Sequence, residues 1–564
     1  MKRNFLPTTF KVTTWEALKP YFDTLLSREI NSREELVQWF KDNSELGAIV
    51  SEDMAWRYIK MTCDTENESI RDHFNDFVQN IQPKIAPISD ALNKKAIEIP
   101  FLKELRKEEG YNIMIREIQK EIDLFREENI PLFTDMQTES QKYGQLNGAM
   151  SIELDGEELT MQQAGVELQS TDRTHREKVY RLMADRRLKD KETLDALFDK
   201  LIAIRHKIAI NTGFKNYRDY KFKAMGRFDY TAKDCFAMHD SIAHEVVPML
   251  NKMAKNRKTT LGINTLKPWD KAVDPEGKPA LKAFESGNDL LQKSIACFNR
   301  IDPYFGECLT TMDKMGHLDL ESRKGKAPGG YNYPLAESGV PFIFMNATST
   351  LRDMVTLMHE GGHAVHAFLA DKLELNDFKN TPSEVAELAS MSMELISMDA
   401  WDEFFETEED LKRAKREHLE QLIETLPWVA TIDKYQHWIY EHPKHTQEER
   451  EQAWLTIFSS FSDTITNWEG LDVNKSYMWQ KQLHLYEVPF YYIEYGMAQL
   501  GAIAVWKNYK EDKTKGLAGY KAALELGYTK TIPEIYKAAN IKFDFSRGYI
   551  KELMAFVKEE LEAI

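Results

Sequence analysis

The stretch Leu351-Arg-Asp-Met-Val-Thr-Leu-Met-His359-Glu360-Gly361-Gly362-His363-Ala-Val-His366-Ala-Phe-Leu-Ala370 decides the reading of this chain. Apolar residues flank the histidines on both sides at helical spacing, which predicts a buried helix. His359 and His363 are four apart, so they share one helix face, one turn above the other. Two imidazole nitrogens so placed reach a single Zn²⁺ at about 2.0–2.1 Å. Glu360, beside the first of them, is positioned to serve as general base toward an attacking water. A helix that merely contains two histidines would not want Gly361 and Gly362, each costing about 1 kcal/mol in a helix interior. The glycines make sense where something approaches the backbone closely.

A catalytic zinc takes three protein ligands and leaves one position open. His366 follows His363 by three, but His359 and His366 lie about 10.5 Å apart along a straight helix axis, too far for one ion that also binds His363. The HExxHxxGxxH arrangement fails as well, because position 366 is His and position 369 is Leu. His366 is therefore expected beside the ligands or in packing. The third ligand is expected from the following segment, Thr381-Pro-Ser-Glu384-Val-Ala-Glu387-Leu-Ala-Ser-Met-Ser-Met-Glu394. Thr381 reads as a helix N-cap, Pro382 as the first helical residue, and Glu384 as the partner that closes a capping box. Glu387 stands among Val385, Ala386, Leu388 and Ala389, where a carboxylate should not be buried without a partner. Glu387, rather than Glu384, is the expected ligand. Glu394 lies near the same face and either orients a ligating histidine or forms an ion pair.

Composition agrees with a helical setting. Glycine is 26 and proline 19 of 564 residues, both below typical usage of about 7% and 5%. Apolar residues recur at three- and four-residue spacing from Leu194 to Ile208, with Gly213 where a helix C′ residue belongs, and again at Ile550, Leu553, Met554, Val557 and Leu561. Strand signals are few: a hairpin around Asp155-Gly156 within Ser151–Met161, and a short β-prone run Val340–Asn346 after the loop Gly325–Pro334. Pro341 should confine that run to a sheet edge or be its first residue. An edge there would offer an extended peptide a partner strand. Tyr331 and Tyr333 either close over substrate or anchor their loop. A soft division near residue 200 separates an N-terminal helical lobe (1–200) from a catalytic domain (201–564) that holds the zinc motif.

Formal net charge is −17, and no Lys/Arg-rich stretch compensates, so nucleic acid is not an expected partner. The four cysteines, Cys63, Cys235, Cys297 and Cys308, are too few for a disulfide framework. No CxxC pair occurs, which argues against a thiolate zinc site or thioredoxin-like chemistry. The start MKRNFLPTTFKVTTWEALKPYF has no apolar stretch of signal-peptide length. No run reaches the 18 or so apolar residues of a membrane helix, so membrane is not an expected partner and a cytoplasmic protein is expected.

HEGGHAVHAF, followed by Glu387-Leu-Ala-Ser390, resembles the thimet-oligopeptidase-like zinc metallopeptidases, and within them the oligoendopeptidase F branch. The third ligand of that family opens an E-x-x-S segment. Pro268-Trp269-Asp270, the glycine-rich loop with Tyr331, and PFIFMN also fit, and the likeness is strongest from about residue 200 onward. The resemblance implies a mainly α fold: two helical lobes around a deep central channel, zinc at its floor, and a small β-sheet next to the zinc helix. It implies one zinc per chain and oligopeptide substrates, including Pro- and Gly-containing, collagen-derived ones. The segment His484–Tyr495 concentrates hydrogen-bond donors, and Tyr492 and Tyr495 share a helix face. By the resemblance, Tyr495 or Tyr492 stabilises the oxyanion and His484 contacts substrate. Tyr491 is expected to pack elsewhere.

The leading expectation is a zinc endopeptidase of short peptides. Two competitors are a zinc carboxypeptidase, for which no Arg can be assigned to a terminal carboxylate, and a helical peptide-binding scaffold. The intact Glu360 argues against the scaffold, because binding alone needs no base between ligands.

Overall fold

Few helix breakers and many helix formers produce helices over about 70% of the chain. The structure is a computed structural model that describes residues 2–323, 325–327 and 329–564. Met1, Lys324 and Pro328 lie outside the described residues. The helix expected from Leu194 spans Lys191–Asn211 and buries Leu194, Leu197, Phe198, Leu201 and Ile208. Gly213 terminates it at φ +88°, a left-handed conformation open to glycine. The C-terminal stripe also forms, with Ile550, Leu553, Met554 and Val557 buried on Arg547–Ala563. Among the described residues, no helix is long and apolar enough to cross a membrane.

The chain forms two compact units, each gathered from three separated stretches. One comprises Met1–Phe125, Leu281–Lys415 and Ala498–Phe543. The other comprises Arg126–Ala280, Arg416–Met497 and Asp544–Ile564. The expected division near residue 200 follows the chain, whereas these units follow side-by-side helix packing.

The first unit has a core around Leu18, Phe22, Trp39, Phe40, Leu92, Met114 and Phe378. It also holds a three-stranded sheet of β3 (Leu318–Glu321), β4 (Tyr331–Tyr333) and β5 (Phe342–Ala347), in the order β3-β5-β4. Strand β5 runs parallel to β3 and antiparallel to β4. Neither expected placement of Pro341 holds: the strand begins after it, at Phe342, and β5 is not an edge but the central strand, with its first four residues buried. A substrate strand therefore cannot add to β5, because both of its sides are already paired. The neighbouring strand signals were too short to foresee this. Tyr331 anchors its loop: its ring stacks on Phe344 with centroids 4.8 Å apart, and its hydroxyl lies 2.6 Å from Thr62 Oγ1.

In the second unit, β1 (Ser151–Leu154) and β2 (Glu157–Thr160) pair antiparallel. Asp155 at φ 54° and Gly156 at φ 91° form the left-handed two-residue turn that such a hairpin demands. The buried Asp270 of Pro268-Trp269-Asp270 accepts hydrogen bonds from Arg173 at 3.0 and 2.9 Å and from Arg176 at 3.0 Å. Its role is thus to neutralise two guanidinium groups.

Candidate metal centre

The helix Leu351–Ala370 starts at a capping box. Thr350 Oγ1 accepts from the Asp353 N–H at 3.1 Å, and Asp353 accepts in return from the Thr350 N–H at 3.1 Å. Asn332 of β4 donates to the Glu360 carbonyl at 3.2 Å, so the small sheet braces the helix where its motif lies.

Gly361 and Gly362 decide how closely this helix is approached. A Cβ on Gly361 would stand 2.7 Å from Phe298 Cζ of the helix Gly287–Ile301. A Cβ on Gly362 would stand 2.7 Å from Ser390 Cα and 2.9 Å from the Ala389 carbonyl. The close approach foreseen from the glycines is thus made by protein, and above all by the helix Ser383–Ser397. That helix is held from behind by Tyr520, which donates to the Ala389 carbonyl at 2.7 Å, and Tyr536, which donates to the Glu384 carbonyl at 3.0 Å.

The approach carries Glu387 to the histidines. Glu387 Oε2 lies 3.2 Å from His359 Nε2 and 3.7 Å from His363 Nε2. Donors on a tetrahedral zinc shell lie about 3.4 Å apart, given metal–ligand distances near 2.1 Å. The three donor atoms lie within 4.8 Å of one another. Two imidazoles and one carboxylate suit zinc, and three protein donors leave a position for water or substrate. The residues present therefore fit the ion. Ser390, unassigned by sequence reading although an i, i+3 spacing from Glu387 marks it, donates to Glu387 Oε2 at 3.1 Å. His359 Nδ1 donates to Glu394 Oε1 at 2.6 Å, which selects the orienting role for Glu394.

One expectation at this site needs correction, the start of the helix that carries Glu387. The helix begins at Ser383 with Pro382 as N-cap, φ −64° and ψ 154°, and no side-chain cap. The start is one residue later than expected, so Glu384 falls at the second helical position and no capping box with Thr381 forms. Glu384 is buried but outside the donor group. His366 is also outside it: the side chain is buried and its Nε2 has no hydrogen-bond partner.

Burial works against the charge on both histidines of this group. For His363 it prevails, pushing the imidazole down to about 4. For His359 it is outweighed by Glu387 and Glu394, which hold the imidazole well above its ordinary range. Burial likewise opposes the Glu387 charge, yet His359 draws that carboxyl down to about 2. The metal-free site is thus an imidazolium clasped by two carboxylates. Zinc uptake must displace the His359 proton, so affinity should climb with pH up to the raised pKa of His359 and level off above it. Calorimetry at pH 7 in two buffers of different ionisation enthalpy should show release of about one proton per ion bound. No proton release would refute the ion-pair state. Glu394→Ala should weaken zinc binding about 10–100-fold in chelator competition, because His359 Nδ1 loses its acceptor; unchanged affinity would make Glu394 a bystander.

The other expected residues lie in the second unit. The rings of His484 and Tyr492 are 4.8 Å apart, those of His484 and Tyr495 5.9 Å, and those of Tyr492 and Tyr495 5.5 Å. Tyr491 does not pack elsewhere: its ring is 5.3 Å from Tyr495, because Tyr491 precedes the helix Tyr492–Glu511 and lies one turn from Tyr495. Gln482 Nε2 lies 2.7 Å from His484 Nδ1. Just before the cluster, Phe490 adopts φ 66° while its N–H donates to Gln436 at 2.6 Å, strain of the kind that collects at working sites.

Two histidines from the helix Leu351–Ala370 and a glutamate from the helix Ser383–Ser397, with a second glutamate between the histidines, form a donor group of the HExxH-plus-Glu pattern that could hold a zinc ion. Over its full length the chain resembles the solved structure of Pz peptidase A with an inhibitor, at TM-score 0.91 and 26% identity, covering 100% of this chain and 99% of that one. It is 23% identical to an oligoendopeptidase F homolog of Borreliella burgdorferi over 293 residues, 51% of this chain and 48% of that protein. It is 21% identical to oligopeptidase PepF of Bacillus subtilis over 417 residues, 68% of this chain and 61% of that protein. The matched stretches thus span about half to three-fifths of these curated relatives. Residues 166–555 match peptidase family M3 and residues 5–125 match the peptidase M3 N-terminal domain. The chain belongs to peptidase family M3, a family of zinc-dependent metallopeptidases.

Proposed function

We propose that this chain is a zinc-dependent endopeptidase that hydrolyses internal bonds of short oligopeptides in the cytoplasm. The observation that carries the reading is the convergence of His359, His363 and Glu387 with Glu360 on the same turn of helix. Bound there, one Zn²⁺ supplies a Lewis acid that brings the pKa of a water toward about 7 and polarises a carbonyl. Glu360 accepts the proton of the attacking water and delivers it to the leaving amine. Burial raises the Glu360 carboxyl to about 7 in the metal-free chain, in keeping with a group that both takes and returns a proton. Glu387, anchored by Ser390, and His359, anchored by Glu394, orient the ligands. Tyr495 or Tyr492 donates to the oxyanion and His484 contacts the substrate; their clustering in one aromatic group, together with the family resemblance, supports these roles. The resemblance extends the substrate range to Pro- and Gly-containing, collagen-derived peptides.

Product mapping tests the reading. An internally quenched peptide blocked at both ends, with a Pro- and Gly-containing variant beside it, should be cut internally, and cleavage should stop on chelation and return with zinc. Release of terminal residues only, from unblocked peptides, would favour the carboxypeptidase reading.

A further inference from the structure

We propose that Cys235, His239, Asp433 and His437 form a second metal site, one that holds a structural zinc ion inside the second unit. The helix Ala232–Glu245 carries Cys235 and His239 four residues apart, and the helix Glu408–Glu441 carries Asp433 and His437 four apart. Each pair therefore shares a helix face, as His359 and His363 do. All four residues are at most 1% exposed.

The donors converge. His239 Nε2 lies 2.9 Å and His437 Nε2 lies 3.2 Å from the same oxygen, Asp433 Oδ2. Both distances are close to the edge of about 3.4 Å expected for a tetrahedral zinc shell. Cys235 Sγ, an Asp433 carboxylate oxygen and a His437 ring nitrogen lie within 4.8 Å of one another. Among the described residues, the other such grouping is His359, His363 and Glu387, where two Nε2 atoms likewise converge on one carboxylate oxygen.

A buried polar network serving only itself would use both carboxylate oxygens, because an unmet buried acceptor is costly. Here Asp433 Oδ1 has no hydrogen-bond partner, and neither ring nitrogen of His437 makes a hydrogen bond. An ion at the convergence point would engage the atoms this packing leaves over. The thiolate, carboxylate and imidazole of that group suit zinc, and His239, which lies outside the group but 2.9 Å from Asp433 Oδ2, would close the shell as a fourth donor, which makes the role structural. The ion would enter as the thiol proton of Cys235 leaves to solvent. Rings of Phe236 and Phe490 lie 4.7 and 5.4 Å from that of His437, so the site is lined by apolar groups and the ion would be trapped on folding. Neither His239 nor His437 has an acceptor on Nδ1. Without that support the affinity should fall about 10–100-fold below that of a site reinforced as His359 is.

The test uses the full chain produced in cobalt-supplemented medium. A thiolate-to-cobalt charge-transfer band is expected, with two metal equivalents per chain. The donors His359, His363 and Glu387 include no thiolate and cannot give that band. Cys235→Ser should abolish the band and remove one equivalent while the other stays. If that variant fails to fold, His239→Gln provides the same readout, with the band shifted or lost. A wild-type chain with no thiolate band, or a band unchanged in these variants, would overturn the proposal. Peptide cleavage is not read, so this result stands apart from the peptidase assignment.

Discussion

Glu360→Gln is expected to lower kcat by about 10²- to 10⁴-fold while zinc content stays at the wild-type level. The substitution keeps the size and planarity of the side chain and removes the capacity to take and return a proton. Glu360 is absent from the donor trio, so the ion should be retained. The fold should not suffer either, because Glu360 is only 7% exposed and a neutral amide is easier to bury than a carboxylate. KM should change little, since peptide contacts come from other groups. The measurement pairs zinc analysis with kcat on a blocked quenched peptide. Near wild-type turnover in a zinc-loaded variant would reject Glu360 as the base.

Gly362→Ala is expected to damage the metal site from outside its ligands. The added methyl meets backbone atoms, Ser390 Cα at 2.7 Å and the Ala389 carbonyl at 2.9 Å, and also Met393 Cβ at 2.9 Å. None of these is the far end of a flexible side chain, so the two helices must part. Parting moves Glu387 away from His359 and His363. Alanine's better helix propensity, worth about 1 kcal/mol, opposes an overpacking cost of about 1–3 kcal/mol, so the fold should survive. Ligand geometry should not: a displacement of about 1 Å can cost about 10² in rate. Expected together are at least about tenfold weaker zinc binding and a fall in kcat/KM of about 10²-fold or more. Wild-type zinc affinity in a folded Gly362→Ala chain would show that the close approach does not set the site.

Most of the proposed metal centre was legible in the sequence because its signals are local. His359 and His363 need only helical spacing, and Glu387 needs only a carboxylate among apolar neighbours on the next helix. The reason for Gly361 and Gly362 was half visible: a close approach could be inferred, but not that the approaching groups are Phe298 and the backbone at Ala389 and Ser390. The start of the Ser383 helix shifted by one residue because Pro382 keeps an extended ψ, and that removed the expected capping box. Strand β5 was recognised, but its central place depends on β3 and β4, short strands from either side of the glycine-rich loop. Cys235 and His239 are nearly 200 residues from Asp433 and His437. A search for CxxC pairs could not see them.

By itself the sequence determined the helical class, and it marked the imidazole pair, the glutamate between them and the carboxylate that converges on them. Each of these rests on periodicity or burial within a few turns of one helix, where spacing along the chain is spacing in space. Only the tertiary structure decided that Glu394 orients His359, that the glycines serve helix–helix contact, that β5 is closed on both sides, and that two distant helices bring a thiol, two imidazoles and a carboxylate together. Those relations arise from packing between segments far apart in the chain, and the pattern of one segment carries no record of which other segment will press against it.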